Sequence, residues 1–249
     1  MCRNDKPLKI ILNNFFDEFW DKNSHKYSAD VRDNIRKNVN DFLDCGNPAK
    51  GYSAFICPRC KEIHETPFSC KSRFCSSCGA RYAEEWATNL KFDLIECQHR
   101  HITFSMPQGK LRDFFFNHRF KLADLAGAAY QALKYSFKKI GIYHIGVIIN
   151  IHTFSRKVEW NPHIHAIVTF GGLNINGNWK NAKTLPWQVL RKSWQKCLLD
   201  IIAKYAKEKN HNRLKNLVSL SYRQYPQGFY VNADSQINNI FNIAKYLGR

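Results

Sequence analysis

Two histidines that stand one residue apart form the most informative short motif of the sequence. His163 and His165 follow Asn161 and Pro162, and Ile164 separates them. In a β-strand, residues two apart point to the same face, so a strand here presents two imidazoles side by side. Neutral imidazoles at this spacing can hold a divalent cation. An ordinary strand that happens to carry two histidines would show the same spacing.

Two further histidines lie in predicted strands that precede this motif. His152 stands near the end of the strand before the His163 strand, and a hairpin between them would bring His152 close to the pair. His152 is therefore a candidate third ligand, or a residue whose hydrogen bond orients one of the ligands. His101, in an earlier strand, is a weaker candidate of the same kind.

Five of the nine cysteines crowd into residues 57–78, and four of them form two CxxC pairs separated by fourteen residues. Each pair can form a tight turn that points two thiolates at one tetrahedral ion. The spacing therefore predicts structural zinc rather than disulfides. The predicted ligands are Cys57, Cys60, Cys75 and Cys78. Cys70 or His64, which lie between the pairs, could replace one of them.

The charge of the chain predicts a polyanionic partner. The formal net charge is +18, from 38 Lys+Arg against 20 Asp+Glu, and nucleic acid is the commonest partner of so basic a protein. No apolar run is long enough for a membrane span, and the N-terminus lacks a signal-peptide core, so we expect a cytoplasmic, nucleoid-associated protein and no membrane partner. The predicted DNA contacts are Arg59 and Arg73 in the cysteine-rich segment, and Lys192 and Lys196 in a basic stretch over 180–223.

Hydrophobic periodicity predicts the elements that position these residues. Helices are expected over residues 8–44 with a break at 23–25, 80–95, 111–140, 185–209 and from 235 to the end; strands are expected over 99–105, 142–154, 163–170 and 229–231. This order predicts an α+β protein with helices packed on a sheet. We expect a helical leader over 1–50, a zinc-binding module over 51–96 and a catalytic domain over 97–249.

Tyr246 lies on the last predicted helix, beside its apolar stripe. A tyrosine close to a divalent cation can attack a phosphodiester and form a covalent ester. A half-buried aromatic residue would occupy the same kind of position.

Four stretches together resemble the rolling-circle insertion-sequence transposases, the IS91-like, two-tyrosine branch of the HUH endonucleases. The combination and its order, from about residue 50 to the end, carry the resemblance. The stretches are 57–78, 100–107, 151–173 with its Asn-Pro-His-Ile-His core, and 245–249 with the sequence Lys-Tyr-Leu-Gly-Arg.

The resemblance implies a ferredoxin-like antiparallel sheet that carries the His163 and His165 pair with Mg²⁺ or Mn²⁺. It implies that Tyr246 nicks and rejoins single-stranded DNA at the ends of a mobile element through a 5′-phosphotyrosine link. A second tyrosine is expected four residues after Tyr246, beyond the last residue of this sequence. We therefore expect either a C-terminally truncated chain or a single nucleophile.

Two other functions fit the same residues. The chain could be a non-catalytic, zinc-dependent DNA-binding remnant of a transposase. Alternatively, it could be a rolling-circle replication initiator or relaxase, since these enzymes share the histidine pair. The zinc segment favours the transposase.

Overall fold

The computed structural model describes residues 7–233, apart from the side chains of Asp30 and Lys91. The described residues divide into two compact units, 7–90 and 91–233, and each is described by itself. The division predicted at residue 50 falls inside the first unit. None of the helices in the described part is long and apolar enough to cross a membrane.

The first unit begins with a pair of helices, α1 (Pro7–Asn23) and α2 (Ala29–Leu43). They pack through Phe16 and Trp20 of α1 and Val39 of α2, which are all buried. A short 3-10 turn joins the helices, so the predicted break in the helical segment is confirmed.

A two-stranded hairpin and a third helix complete the first unit. Strands β1 (Tyr52–Ile56) and β2 (Ile63–Pro67) pair antiparallel, and α3 (Ser76–Asp93) follows them. Every residue of β1 is exposed, so the strand has no buried face whose alternation would have predicted it.

The second unit alternates strands and helices. Its elements are β3 (His99–Ser105), α4 (Lys110–Asn117), α5 (Asp124–Lys138), β4 (Val147–Phe154), β5 (Trp160–Thr169), β6 (Gly171–Leu173), β7 (Trp179–Asn181), α6 (Trp187–Glu208), α7 (Asn212–Gln224) and β8 (Val231–Ala233).

Four strands of this unit form one antiparallel sheet in the spatial order β4-β5-β3-β8. Helices α4 and α5 connect β3 to β4, and α6 and α7 lie between β5 and β8 in the chain. This is the β-α-β-β-α-β topology of ferredoxin-like folds. The predicted α+β class is confirmed.

One face of the sheet is buried beneath helices. Ile102 and Phe104 of β3 and Ile164 of β5 are fully buried in a cluster that also contains the apolar stripes of α5 and α6. The indole N–H of Trp194 in α6 donates to the carbonyl of Ser105 at 2.9 Å, which ties α6 to the end of β3. Because side chains alternate along a strand, the neighbours of these residues point to the opposite face.

Several element boundaries differ from prediction. The helix predicted over 111–140 is interrupted by a 3-10 turn at Arg119–Lys121, and a second helix follows it. Strand β4 begins at Val147 rather than at 142, because the residues before it pair elsewhere: His144 forms an isolated bridge with Leu173. Helix α7 was not predicted. The predicted C-terminal helix lies outside the described residues.

Candidate metal centres

The sheet register places three histidines on one face. His163 of β5 pairs with His152 of β4, and the residue two further along, His165, shares the face of His163. On the other side, His163 pairs with Ser105 and His165 pairs with Thr103 of β3. This face is polar, whereas the residue between the two histidines, Ile164, is fully buried in the core on the opposite face.

The three imidazoles lie close enough together to serve one ion. One ring nitrogen each from His152, His163 and His165 lies within 4.8 Å of the other two. The ring centroids of His152 and His165 are 4.5 Å apart, and those of His163 and His165 are 4.8 Å apart. His152, the candidate third ligand, therefore lies beside the predicted pair of His163 and His165.

Hydrogen bonds fix the orientation of two of these rings. Nδ1 of His163 lies 2.6 Å from the carbonyl oxygen of Asn161, so Nδ1 carries the proton and Nε2 offers its lone pair. Nδ1 of His165 lies 2.8 Å from Nε2 of His101. Metal-binding histidines are held by such partners, because the hydrogen bond selects both tautomer and ring orientation.

Burial keeps His165 neutral. Its side chain is only 6% exposed, and desolvation, followed by repulsion from His152, His163 and His101, lowers the pKa of His165 to about 3. A neutral imidazole is the form that binds a metal. Three imidazoles fit a divalent transition ion such as Mn²⁺ better than Mg²⁺, which prefers oxygen ligands.

A second cluster lies in the first unit and contains four thiols: Cys45, Cys70, Cys75 and Cys78. The sulfur of Cys78 lies 3.6 Å from that of Cys45 and 3.7 Å from that of Cys70, and the Cys75 and Cys45 sulfurs are 3.8 Å apart. Zn–S bonds of about 2.3 Å place the sulfurs of a tetrahedral site about 3.8 Å apart. The thiols therefore already have the spacing of a four-cysteine zinc site.

The cluster favours the thiolate form of one cysteine and disfavours that of two others. Burial raises the pKa of Cys78, but hydrogen bonds from Cys45, Cys70 and Cys75 outweigh it and lower that pKa to about 7. Burial raises the pKa of Cys70 to about 11 and raises that of Cys45 still further. A divalent ion would replace the protons of these thiols.

The cluster differs from the set that spacing predicts. Cys75, Cys78 and the alternative ligand Cys70 meet, but Cys57 and Cys60 lie in the turn of the β1–β2 hairpin, where Cys60 is exposed. His64 lies on β2, 64% exposed along its side chain and 3.9 Å from Glu62. The fourth thiol, Cys45, follows α2 at a sequence separation of 33 residues from Cys78.

Two family descriptions match the chain. Residues 11–106 match the transposase zinc-binding domain, and residues 146–249 match a family described as putative transposase. The transposase for insertion sequence element IS801 of Pseudomonas savastanoi pv. phaseolicola is 31% identical over 174 residues, which cover 69% of this chain and 42% of that protein. This chain belongs to the IS91-like transposase family.

A second relative matches the chain over the same share of its own length. The putative transposase y4qJ of Sinorhizobium fredii is 25% identical to this IS91-like chain over 170 residues, which cover 64% of the chain and 42% of the relative. The chain thus spans about two fifths of the length of both curated relatives. No solved structure matches it.

Both clusters fall within the matched regions of this IS91-like protein. The four-thiol cluster lies within residues 11–106, and His152, His163 and His165 lie within 146–249. The zinc-binding match and the cluster together support structural zinc. Tyr246, the predicted nucleophile, belongs to the second matched region but lies outside the described residues.

The predicted DNA contacts differ in their surroundings. Arg59 is exposed in the hairpin turn, and the guanidinium of Arg73 lies 4.6 Å from the ring centroid of Tyr82. Lys192 is exposed on α6. Lys196 forms an ion pair of 2.6 Å with Asp200, so part of its charge is already compensated within the helix.

Proposed function

We propose that this chain nicks and rejoins single-stranded DNA during transposition, with a divalent ion held by His152, His163 and His165. The observation that carries the proposal is the meeting of three imidazoles on one polar face of a ferredoxin-like sheet, in a chain of a transposase family. The proposed substrate is the single-stranded end of a mobile element.

The proposed nucleophile is the phenol oxygen of Tyr246. Its attack on a phosphodiester forms a Tyr–O–P bond and breaks the bond between phosphorus and the 3′ oxygen. The proton lost by the phenol balances the proton gained by the released 3′ hydroxyl. Rejoining reverses the step, because a 3′ hydroxyl attacks the 5′-phosphotyrosine ester and the phenol leaves. A bound Mn²⁺ or Mg²⁺ would polarise the scissile phosphate.

The residues of the chain prepare the site for this step. The carbonyl of Asn161 holds His163, and His101 holds His165, so that the rings need little reorganisation. The donor set favours Mn²⁺ over Mg²⁺.

We also propose that Cys45, Cys70, Cys75 and Cys78 hold the structural zinc. The supporting observation is the match between their sulfur separations and those of a tetrahedral thiolate site. This set replaces Cys57 and Cys60 of the spacing-based prediction with Cys45 and Cys70. Arg59 and Arg73 remain proposed DNA contacts of the same unit.

The function is tested by covalent trapping. The protein is incubated with end-labelled single-stranded DNA from the element and with Mn²⁺, and adducts that survive SDS are counted. We expect an adduct that disappears in Tyr246→Phe and in the His163→Ala/His165→Ala double variant, and that persists in the matched control Tyr222→Phe, an exposed tyrosine on α7. Folded protein that binds the DNA but forms no adduct with any divalent ion would instead support a non-catalytic DNA-binding protein.

A further inference from the structure

A cavity of about 460 Å³ opens where β3 leaves the sheet. Its walls come from the turn after β3, from α4, from α6 and from the segment between α7 and β8. The residues that line it include no carboxylate. The lining includes Ser105, Arg112, Arg191, Tyr225, Gly228 and Tyr230.

Two arginines in this cavity have guanidinium N–H groups without acceptors. The Nε atoms of Arg112 and Arg191 are buried, and neither has a hydrogen-bond partner within residues 7–233. Arg112 donates from Nη2 to the carbonyl of Met106 at 3.2 Å, and no ion pair with a carboxylate is found for either arginine in this part of the chain. A buried donor without an acceptor is costly. The charge of Glu159 acts on Arg112 only in part, since burial still lowers the pKa of Arg112. An anion would satisfy both Nε–H groups.

The wall around Arg191 is close-packed and held by hydrogen bonds. Gly228 adopts φ +84°, and a Cβ there would lie 2.4 Å from the carbonyl carbon of Arg191, so only glycine lets the segment pass so close. The amide of Phe229 donates to the carbonyl of Arg191 at 3.3 Å. Gln195 donates from its side chain to the carbonyl of Tyr225 at 2.9 Å. The cavity is therefore formed before any ligand arrives.

The cavity adjoins the histidine cluster. Ser105, which lines it, is the direct cross-strand partner of His163, and such partners lie about 5 Å apart on the same face. The indole N–H of Trp160 at the start of β5 donates to the carbonyl of Arg112 at 2.9 Å, which fixes α4 beside the same strand. A DNA strand with a phosphate at the histidines would reach the cavity with a neighbouring nucleotide.

An exposed aromatic ring stands at the same place. Tyr230 is 60% exposed, and the guanidinium of Arg191 lies 5.8 Å from its ring centroid. Unpaired bases stack on such rings, whereas the bases of a duplex are already stacked on each other. The combination of two buried arginine Nε–H groups without acceptors and an exposed tyrosine is the chemistry that recognises a nucleotide.

We propose that this cavity binds one nucleotide of single-stranded DNA next to the scissile phosphate, with its phosphate between Arg112 and Arg191 and its base on Tyr230. The proposal rests on the proposed function, since it supplies a subsite for that substrate. It assigns to these three residues a role in placing the strand over the histidine cluster.

The test is equilibrium binding without reaction. The zinc-loaded full chain is titrated in EDTA-free buffer that lacks Mn²⁺ and Mg²⁺ against a fluorescein-labelled oligothymidylate of about 12 nucleotides, and anisotropy is recorded. We expect Arg191→Gln, Arg112→Gln and Tyr230→Ala each to weaken binding about tenfold. The control Arg32→Gln removes the same charge from an exposed position on α2 and should change affinity by less than about twofold.

A salt titration separates a phosphate contact from structural damage. Loss of one phosphate contact lowers the slope of log K against log salt by about 0.7 for a single strand, so the two arginine variants should show this and Tyr230→Ala should not. Arg112→Gln also loses the bond to Met106, so the decisive variants are Arg191→Gln and the exposed Tyr230→Ala, with melting temperatures recorded for both.

The outcomes distinguish this proposal from the proposed function. If Arg191→Gln and Tyr230→Ala bind the oligonucleotide as Arg32→Gln does, the cavity is not a nucleotide site, even if adducts still form. If both variants weaken binding as expected but no adduct ever forms with Mn²⁺, the nucleotide site is supported and the proposed nicking activity is refuted.

Discussion

The replacement of Cys45 by serine tests the zinc assignment against the spacing-based alternative. Cys45 is 7% exposed, and its sulfur lies 3.6 Å from that of Cys78, whereas Cys57 lies in the hairpin turn outside the cluster. Structural zinc contributes about 10–16 kcal/mol through four ligands, or about 3 kcal/mol for each. Cys45→Ser should therefore lower zinc affinity roughly a hundredfold.

The loss of zinc from Cys45→Ser should also unfold part of the first unit. Its buried clusters are small: one consists of Phe42 with three of the thiols, and the other of three residues from α1 and α2. Zinc content after dialysis against a weak chelator and the melting curve by circular dichroism measure both effects. The matched control is Cys57→Ser, which should retain zinc and melt like the wild type. Zinc lost from Cys57→Ser but kept by Cys45→Ser would refute the assignment.

Three further predictions concern the second unit. His101→Ala removes the hydrogen bond to Nδ1 of His165, so Mn²⁺ affinity measured by calorimetry should fall about tenfold, the lower end of what outer-sphere partners contribute; an unchanged affinity would exclude the positioning role. The pKa of His165 is lowered from 6.5 to about 3, so below about pH 6.5 the unfolded chain binds a proton that the folded chain does not. The free energy of unfolding of the metal-free protein should therefore fall as the pH drops below about 6.5, by up to about 1.4 kcal/mol per pH unit. Urea melts at several pH values measure this slope, which should flatten in His165→Asn. Gly172→Ala should lower the free energy of unfolding by about 2 kcal/mol or more, because the new Cβ would lie 2.0 Å from the carbonyl oxygen of His144. In the control Gly127→Ala on α5, the new Cβ has no neighbour within contact distance, so this variant should be more stable by about 0.5 kcal/mol.

The histidine site could be predicted because its geometry is local. Alternation along a single strand places His163 and His165 on one face, whatever the rest of the fold does. The next step needed only a hairpin between neighbouring strands, and the register pairs His152 with His163. Strand β3 was predicted with its observed bounds, 99–105, because polar turn residues follow it directly.

The thiol cluster could not be predicted in full, since its geometry is not local. Cys75 and Cys78 share one turn at the start of α3, but Cys45 reaches them through long-range contacts. Phe42 packs in the same cluster, and the backbone N–H of Cys70 donates to the sulfur of Cys45 at 3.4 Å. A CxxC pair is a strong local signal, so the spacing predicts Cys57 and Cys60 as ligands. The hint in the sequence is that Cys45 precedes a glycine after a predicted helix, and Gly46 indeed adopts φ +75° in the structure.

The sequence does not single out the two arginines of the cavity, for a similar reason: Arg191 is one residue of the basic stretch over 180–223, and Arg112 is not predicted as a DNA contact. Arg112 and Arg191 lie on different helices, and each has the sequence surroundings of an ordinary exposed helix residue. They meet in one cavity only in the folded chain, where Gly228 passes close to the backbone of Arg191.

The central claim is that His152, His163 and His165 share one metal ion. Crystals of the protein soaked in Mn²⁺ test it most directly through anomalous scattering. We expect one strong peak within coordination distance of a ring nitrogen of each of the three histidines, and no such peak in crystals of His163→Ala/His165→Ala. Saturating Mn²⁺ that leaves no peak at these rings, or that binds only elsewhere, would contradict it.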